Sequence, residues 1–161
     1  MNRPASLLLT AIAFDLYWTL VELLRERRLV IWLALAILCW LRLPPEYRAS
    51  ALLLAAAGCG LDTIWALSGL VDFNGDTLLP VWMAALWLMF AVVWIRLTSA
   101  ATLPGWLLAL AAAFGGPTAY LLGAYLGAMT LLAPTAAVFG AMACGWLAMM
   151  LVFHMVMGRR Q

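Results

Sequence analysis

Asp62 stands near the middle of an apolar run from about Ala49 to Val71. A carboxylate at that depth in lipid costs a few kcal/mol or more unless it is paired, hydrated or protonated. At helical spacing Gly58, Asp62, Trp65 and Gly69 fall on one face, small and polar, that should turn into a bundle. The hydroxyl of Thr63 lies next in the chain. Three chemistries are open to such a carboxylate: holding a cation, carrying a proton, or anchoring a polar ligand. The structural alternative is a hydrogen bond to broken backbone in a neighbouring helix. Asp15 interrupts an earlier apolar run, with Thr19 and Glu22 on its face and Trp18 alongside. It belongs either to the same site or to a tilted acidic face that lines a wet crevice without chemistry.

A third feature is Gly115-Gly116-Pro117, followed by Thr118 and Tyr120. Proline removes a helical hydrogen bond and two glycines weaken the same turn, so a kink or a pair of half-helices is expected. Broken helices at membrane depth persist where they are buried in protein or line a cavity, and in transporters they offer backbone groups to ions and polar substrates. The break falls at about the depth of both aspartates. The candidate ligand-binding set is therefore Asp62, Asp15, Thr63, Trp65, Gly115, Gly116, Pro117, Thr118 and Tyr120.

The inventory for catalysis is thin. The sequence has no GxSxG, no HExxH and no cluster of histidines with carboxylates. Ser6, Ser50, Ser68 and Ser99 have no adjacent base in the sequence. His154 is the single histidine, which is poor material for a metal centre, and it reads as interfacial. Cys39, Cys59 and Cys144 lie in apolar segments without CxxC spacing, so neither a disulfide nor a metal site is implied. A non-enzyme is expected, with no metal and no cofactor. An intramembrane enzyme acting on lipids through the aspartates is the outlying alternative.

These residues are positioned by a chain that lipid must dissolve. Of its 161 residues 68% are hydrophobic and 10% charged, and the mean hydropathy is +1.05. A soluble domain of this size could not hide so much apolar surface. The net charge of +2 is too small to imply nucleic-acid binding. The positive charges are all Arg, in short clusters beside apolar runs. The first apolar run has one Arg ahead of it, but Asp15 and Glu22 interrupt it, so it reads as a retained span rather than a signal peptide.

Six spanning segments are expected: about Ser6 to Leu24, Leu29 to Leu43, Ala49 to Val71, Pro80 to Arg96, Pro104 to Leu132 and Pro134 to Met157. Arg25-Glu26-Arg27-Arg28, Pro44-Pro45-Glu46 and the acidic stretch from Asp72 to Asp76 are the main connectors. The second segment is short and flanked by Trp32 and Trp40, which suit the two interfaces. The expected architecture is a single all-α domain, a six-transmembrane-helix bundle with its fifth helix broken. Six spans put both termini on the side of Arg3, Arg42, Arg48, Arg96, Arg159 and Arg160, against Arg25, Arg27 and Arg28 on the other. By the positive-inside rule that side is cytoplasmic. Small residues recur at Ala119, Gly123 and Gly127 and at Ala136, Gly140, Cys144 and Ala148. They read as packing within the bundle, with a homo-oligomer face as the alternative.

From Leu61 onward the chain resembles a bacterial membrane-protein family known as domain of unknown function 2878. The stretches that carry the resemblance are Gly60-Leu61-Asp62-Thr63, Pro80-Val81-Trp82 with Leu86-Trp87 and Phe90, and Gly115-Gly116-Pro117-Thr118-Ala119-Tyr120 with Gly123, Leu126 and Gly127. The family has Asp-Ser where this chain has Asp62-Thr63, which keeps the hydroxyl. It is often polar near the end of the fourth helix, where this chain has Ile95-Arg96-Leu97. The likeness covers about the last two thirds of the chain and lends nothing to Asp15. It implies a small multi-pass protein of the bacterial inner membrane, encoded near enzymes that modify membrane fatty acids, with no established activity.

Together these readings point to a membrane protein that binds or translocates an ion or a lipid-like molecule at a midplane polar site. The alternative is a non-catalytic subunit or scaffold of a lipid-modifying membrane system. Membrane lipid is the expected partner in either case, a membrane enzyme in the second.

Overall fold

A computed structural model describes residues 3–75, 77–100 and 104–158. Asp76, Arg159 and Arg160, named above, lie outside these. The elements run α1 (Arg3–Leu24), a 3-10 turn (Arg25–Arg28), α2 (Leu29–Leu41), α3 (Pro45–Leu67), β1 (Val71–Phe73), α4 (Val81–Ala100), α5 (Gly105–Tyr125), β2 (Met129–Leu131) and α6 (Thr135–Gly158). They form two units. The first holds α1, the 3-10 turn, α2, the start of α3, and α4; the second holds the rest of α3 with β1, α5, β2 and α6.

In the first unit the chain reverses at Arg25, whose φ of 43° lies in the left-handed region that a residue with a Cβ adopts at a cost. Side chains of α1 and α2 hold the reversal. The indole N–H of Trp32 donates to the Arg25 carbonyl at 3.2 Å. The Tyr17 hydroxyl donates to the carbonyl of Trp32 at 3.0 Å, and its ring meets the Trp32 ring edge-on with centroids 5.9 Å apart. Fifteen residues of straight helix would separate those groups by about 22 Å. So the chain turns back after α1, and both α1 and α2 pack on α4. The Tyr17 hydroxyl also lies 3.3 Å from the Ala85 carbonyl, which ties α4 to the hairpin. Phe14, Trp87, Phe90 and Trp94 continue this packing as a run of ring contacts. At the far end of α2 the Trp40 indole donates to the Arg48 carbonyl at 3.0 Å, and Arg48 Nε donates to the Leu43 carbonyl at 3.0 Å.

Among the described residues five stretches are long and apolar enough to cross a membrane: Ala5–Leu41, Pro45–Leu67, Val81–Ser99, Gly105–Tyr125 and Thr135–Val156. The sequence alone predicts six. The difference is α2, whose 13 residues rise about 20 Å against a hydrocarbon core of about 30 Å. It is a returning arm inside the first stretch.

The second unit corrects three expectations. First, α5 is continuous through Gly115, Gly116 and Pro117. The proline sacrifices one amide, and the turn beside it is reinforced by the Thr118 hydroxyl, which donates to the Phe114 carbonyl at 2.7 Å. Second, the apolar length beyond Tyr125 is not helix. After Gly127, at φ 74°, the chain enters β2, which pairs antiparallel with β1. A mainly helical chain thus carries a two-stranded ribbon, with Asp72 opposite Thr130 at its centre. Third, Ala136, Gly140, Cys144 and Ala148 do not lie on the buried face of α6, which is built from Val138, Met142, Trp146 and Met150. The fully buried positions of this helix carry larger side chains.

Candidate functional site

Leu54, Ala55, Gly58, Asp62 and Trp65 form the buried side of α3, following the helical period. Asp62 has no exposed surface at all. On α5 the buried side includes Gly116, Pro117, Tyr120 and Gly123. The two helices bring their polar groups together: the Tyr120 hydroxyl donates to Asp62 Oδ1. A hydrogen bond to a charged group is worth about 1.5–3 kcal/mol net. Desolvating a carboxylate costs several kcal/mol. The phenol therefore offsets part of the cost of burying Asp62 and fixes where one of its oxygens points.

Trp65, on the same face one turn further along α3, is buried as well. Its indole packs against Gly145 of α6, where a Cβ would run into the ring. Its N–H has no hydrogen-bond partner among the described residues. A buried donor left without an acceptor costs about 1–3 kcal/mol. One turn from Asp62 along α3 there is thus a donor that lacks an acceptor among the described residues.

Gly116 of α5 is the seat of a second indole. A Cβ on it would run into the ring of Trp146, so α5 and α6 approach at this glycine as closely as an indole allows. The glycines of Gly115-Gly116-Pro117 therefore serve different ends. Gly116 and Pro117 are buried, whereas Gly115 is exposed with open space around it.

The sequence-derived candidates separate accordingly. Asp62, Trp65, Gly116, Pro117 and Tyr120 are buried in the second unit, and Thr63 is half-buried beside them in the chain. Gly115 is exposed, and Thr118 turns its hydroxyl back onto its own helix. Asp15 is exposed and belongs to the first unit, where its backbone carbonyl accepts the Thr19 hydroxyl at 2.8 Å. The buried acid of α1 is Glu22, at 2% exposure. His154 is exposed, its ring against Gly105.

Sequence reasoning missed Asn74. Its side-chain amide donates to the Gly127 carbonyl at 2.9 Å and accepts the Thr130 hydroxyl at 3.2 Å. These bonds tie the segments that leave α3 and α5, the helices carrying Asp62 and Tyr120. Asn74-Gly75 after the alternating Val71-Asp72-Phe73 is the usual signal of a strand entering a turn, although its partner lies too far along the chain to be read.

Fold and site define a small polytopic membrane protein, built of apolar helices with a buried carboxylate–phenol pair. The chain belongs to the family described as a protein of unknown function (DUF2878), whose model matches residues 7–152. The match takes in α1 and α2, which the resemblance in the sequence leaves out. No curated protein and no solved structure matches the chain.

Proposed function

We propose that this protein binds the polar group of a small membrane-borne molecule at Asp62, and that Tyr120 and Trp65 orient it. One observation carries the reading. Asp62 is wholly buried in a span, takes the Tyr120 hydroxyl, and sits a turn from an indole N–H that has no acceptor among the described residues. Intramembrane ionisable groups are functional candidates by default, because lipid penalises those without a task. The Trp65 donor narrows the ligand. A bare cation or proton would suit the carboxylate but leave the indole unanswered. A group with a donor for Asp62 and an acceptor oxygen for Trp65, such as the hydroxylated or amidated head of a lipid-like molecule, would answer both. Asp62 and Tyr120 each stand five residues before the end of their helix, so the bound group would lie toward the ribbon end of these spans.

The setting we propose is the bacterial inner membrane. The turn back of the chain after α1 supports placing both termini on the cytoplasmic side, where the larger group of arginines lies. No reaction is proposed.

The test is native mass spectrometry of protein released from its own membranes, wild type beside Asp62→Asn. A defined small molecule held by the wild type and lost from the variant supports the reading. Equal retention in both, or a wild type that carries nothing but bulk lipid, rejects it. A second polypeptide retained by both would favour the scaffold alternative.

A further inference from the structure

The turns after α3 and α5 are the same turn. α3 ends at Leu67 and α5 at Tyr125. Ser68 N donates to the Ile64 carbonyl at 2.9 Å, as Leu126 N does to Leu122 at 2.8 Å. Leu70 N reaches the Trp65 carbonyl at 3.0 Å, as Ala128 N reaches Gly123 at 2.9 Å. Gly69 and Gly127 occupy the same left-handed position, at φ 72° and 74°. Across the ribbon the bonds are reciprocal: Asn74 N donates to Ala128 O at 3.1 Å, and Leu132 N donates to Leu70 O at 3.0 Å.

Every one of these correspondences is a shift of 58 residues, and Asp62 and Tyr120 are separated by the same 58. The ribbon's central rung, Asp72 opposite Thr130, has that separation too. A local two-fold axis through the rung therefore exchanges the two segments, and Asp62 and Tyr120 are counterparts that touch each other. The shift extends back along the helices. Buried Ala51, Ala55 and Gly58 correspond to buried Ala109, Ala113 and Gly116, identical in type. Gly58 seats the indole of Trp87, from α4, as Gly116 seats that of Trp146, from α6, each within its own unit.

From this we infer that α3–β1 and α5–β2 are two copies of one helix–strand module, and that Asp62 and Tyr120 are a single position of the module, diverged into acceptor and donor. Chance similarity of two turns would not also place a buried side-chain hydrogen bond between α3 and α5 on the same shift. The inference deepens the proposed function and rests on it for one consequence: the ligand site belongs to a contact between repeats, which is where transporters built from internal repeats bind their cargo. The repeat itself stands on the hydrogen bonds.

Counterpart positions should be exchangeable. Asp62→Tyr alone and Tyr120→Asp alone each put two like groups together and should lower the melting temperature in detergent. The exchanged pair, Asp62→Tyr with Tyr120→Asp, should recover more than half of the larger single loss. An exchanged pair that melts no higher than the worse single variant overturns the inference. If the exchanged pair does not fold, hydrogen–deuterium exchange on the wild type decides. The Asn74 and Leu132 amides, equivalent under the two-fold, should show comparable protection, and a difference beyond about tenfold would contradict it. These readouts need no ligand, so they fail independently of the Asp62→Asn binding test.

Discussion

The indole of Trp146 occupies the space that a methyl group on Gly116 would need. Glycine inside a helix normally costs about 0.5–1 kcal/mol relative to alanine. Here the sign reverses, because an added carbon must displace an indole and the helix that carries it. We expect Gly116→Ala to destabilise the protein by about 1–3 kcal/mol. Gly115→Ala, one residue away with open space around it, should be neutral or stabilising by up to about 1 kcal/mol. Thermal unfolding of both variants in one detergent checks the contrast, and equal losses would mean that the glycines act on the backbone alone.

Tyr120→Phe removes the donor to Asp62 and leaves the ring in place. A loss of about 1–3 kcal/mol is expected. Asp62→Asn keeps an acceptor for the phenol, so its folded fraction should fall less. Chemical unfolding of the two variants side by side gives the comparison. An Asn variant weaker than the Phe variant would show that the charge at Asp62 carries more of the fold than the hydrogen bond does.

Tyr17 joins α2 and α4 through one hydroxyl, shared between the carbonyls of Trp32 and Ala85. Tyr17→Phe should cost about 1–2 kcal/mol while the edge-on ring contact survives. Proteolysis at the Arg25–Arg28 turn should then quicken, since the hairpin loses one of its ties. Unchanged cleavage would assign the reversal to the Trp32 indole instead.

Asn74→Ala deletes the side-chain bond from Thr130 of β2 and the bond to Gly127 in the turn ahead of it. Because these bonds are exposed, the stability change should stay at or below about 1 kcal/mol. Amide exchange at Asn74 and Leu132 should nevertheless rise together. A rise confined to Asn74 would show that the two strands open independently.

Reporter fusions at Asn74 test the orientation. With cytoplasmic termini and the chain turning back after α1, a reporter there should be active only outside the cytoplasm. Cytoplasmic activity would overturn the assignment.

The inward face of α3 is legible in the sequence because period 3.6 and a lone carboxylate point to the same side of the helix. The pairing of Asp62 with Tyr120 is legible only as a shared depth. The expected break at Gly115-Gly116-Pro117 does not form, because composition cannot say whether a proline's lost hydrogen bond is tolerated. Here the helix continues, with Thr118 bonded to the turn next to it. The fifth segment is indeed too long for one helix, but the excess belongs to a strand whose partner begins at Val71. That pairing is non-local and leaves little trace in either segment alone. The small residues of α6 mislead for another reason. Close spacing shows that a face is narrow, not which way it turns, and this one turns away from the buried side. Asp15 looks equivalent to Asp62 in depth, but the structure exposes one and buries the other.

The returning arm α2 has a bearing on the surrounding lipid. Its neighbour α1 has 22 residues and α2 has 13, so one rises about 33 Å and the other about 20 Å. A bilayer meeting both must thin along one flank of the protein or let water reach the shorter helix, at a fraction of a kcal/mol for each ångström of mismatch. Short-chain lipids should therefore hold the folded protein better than long-chain ones. In a membrane of mixed thickness, the protein should gather where the bilayer is already thin.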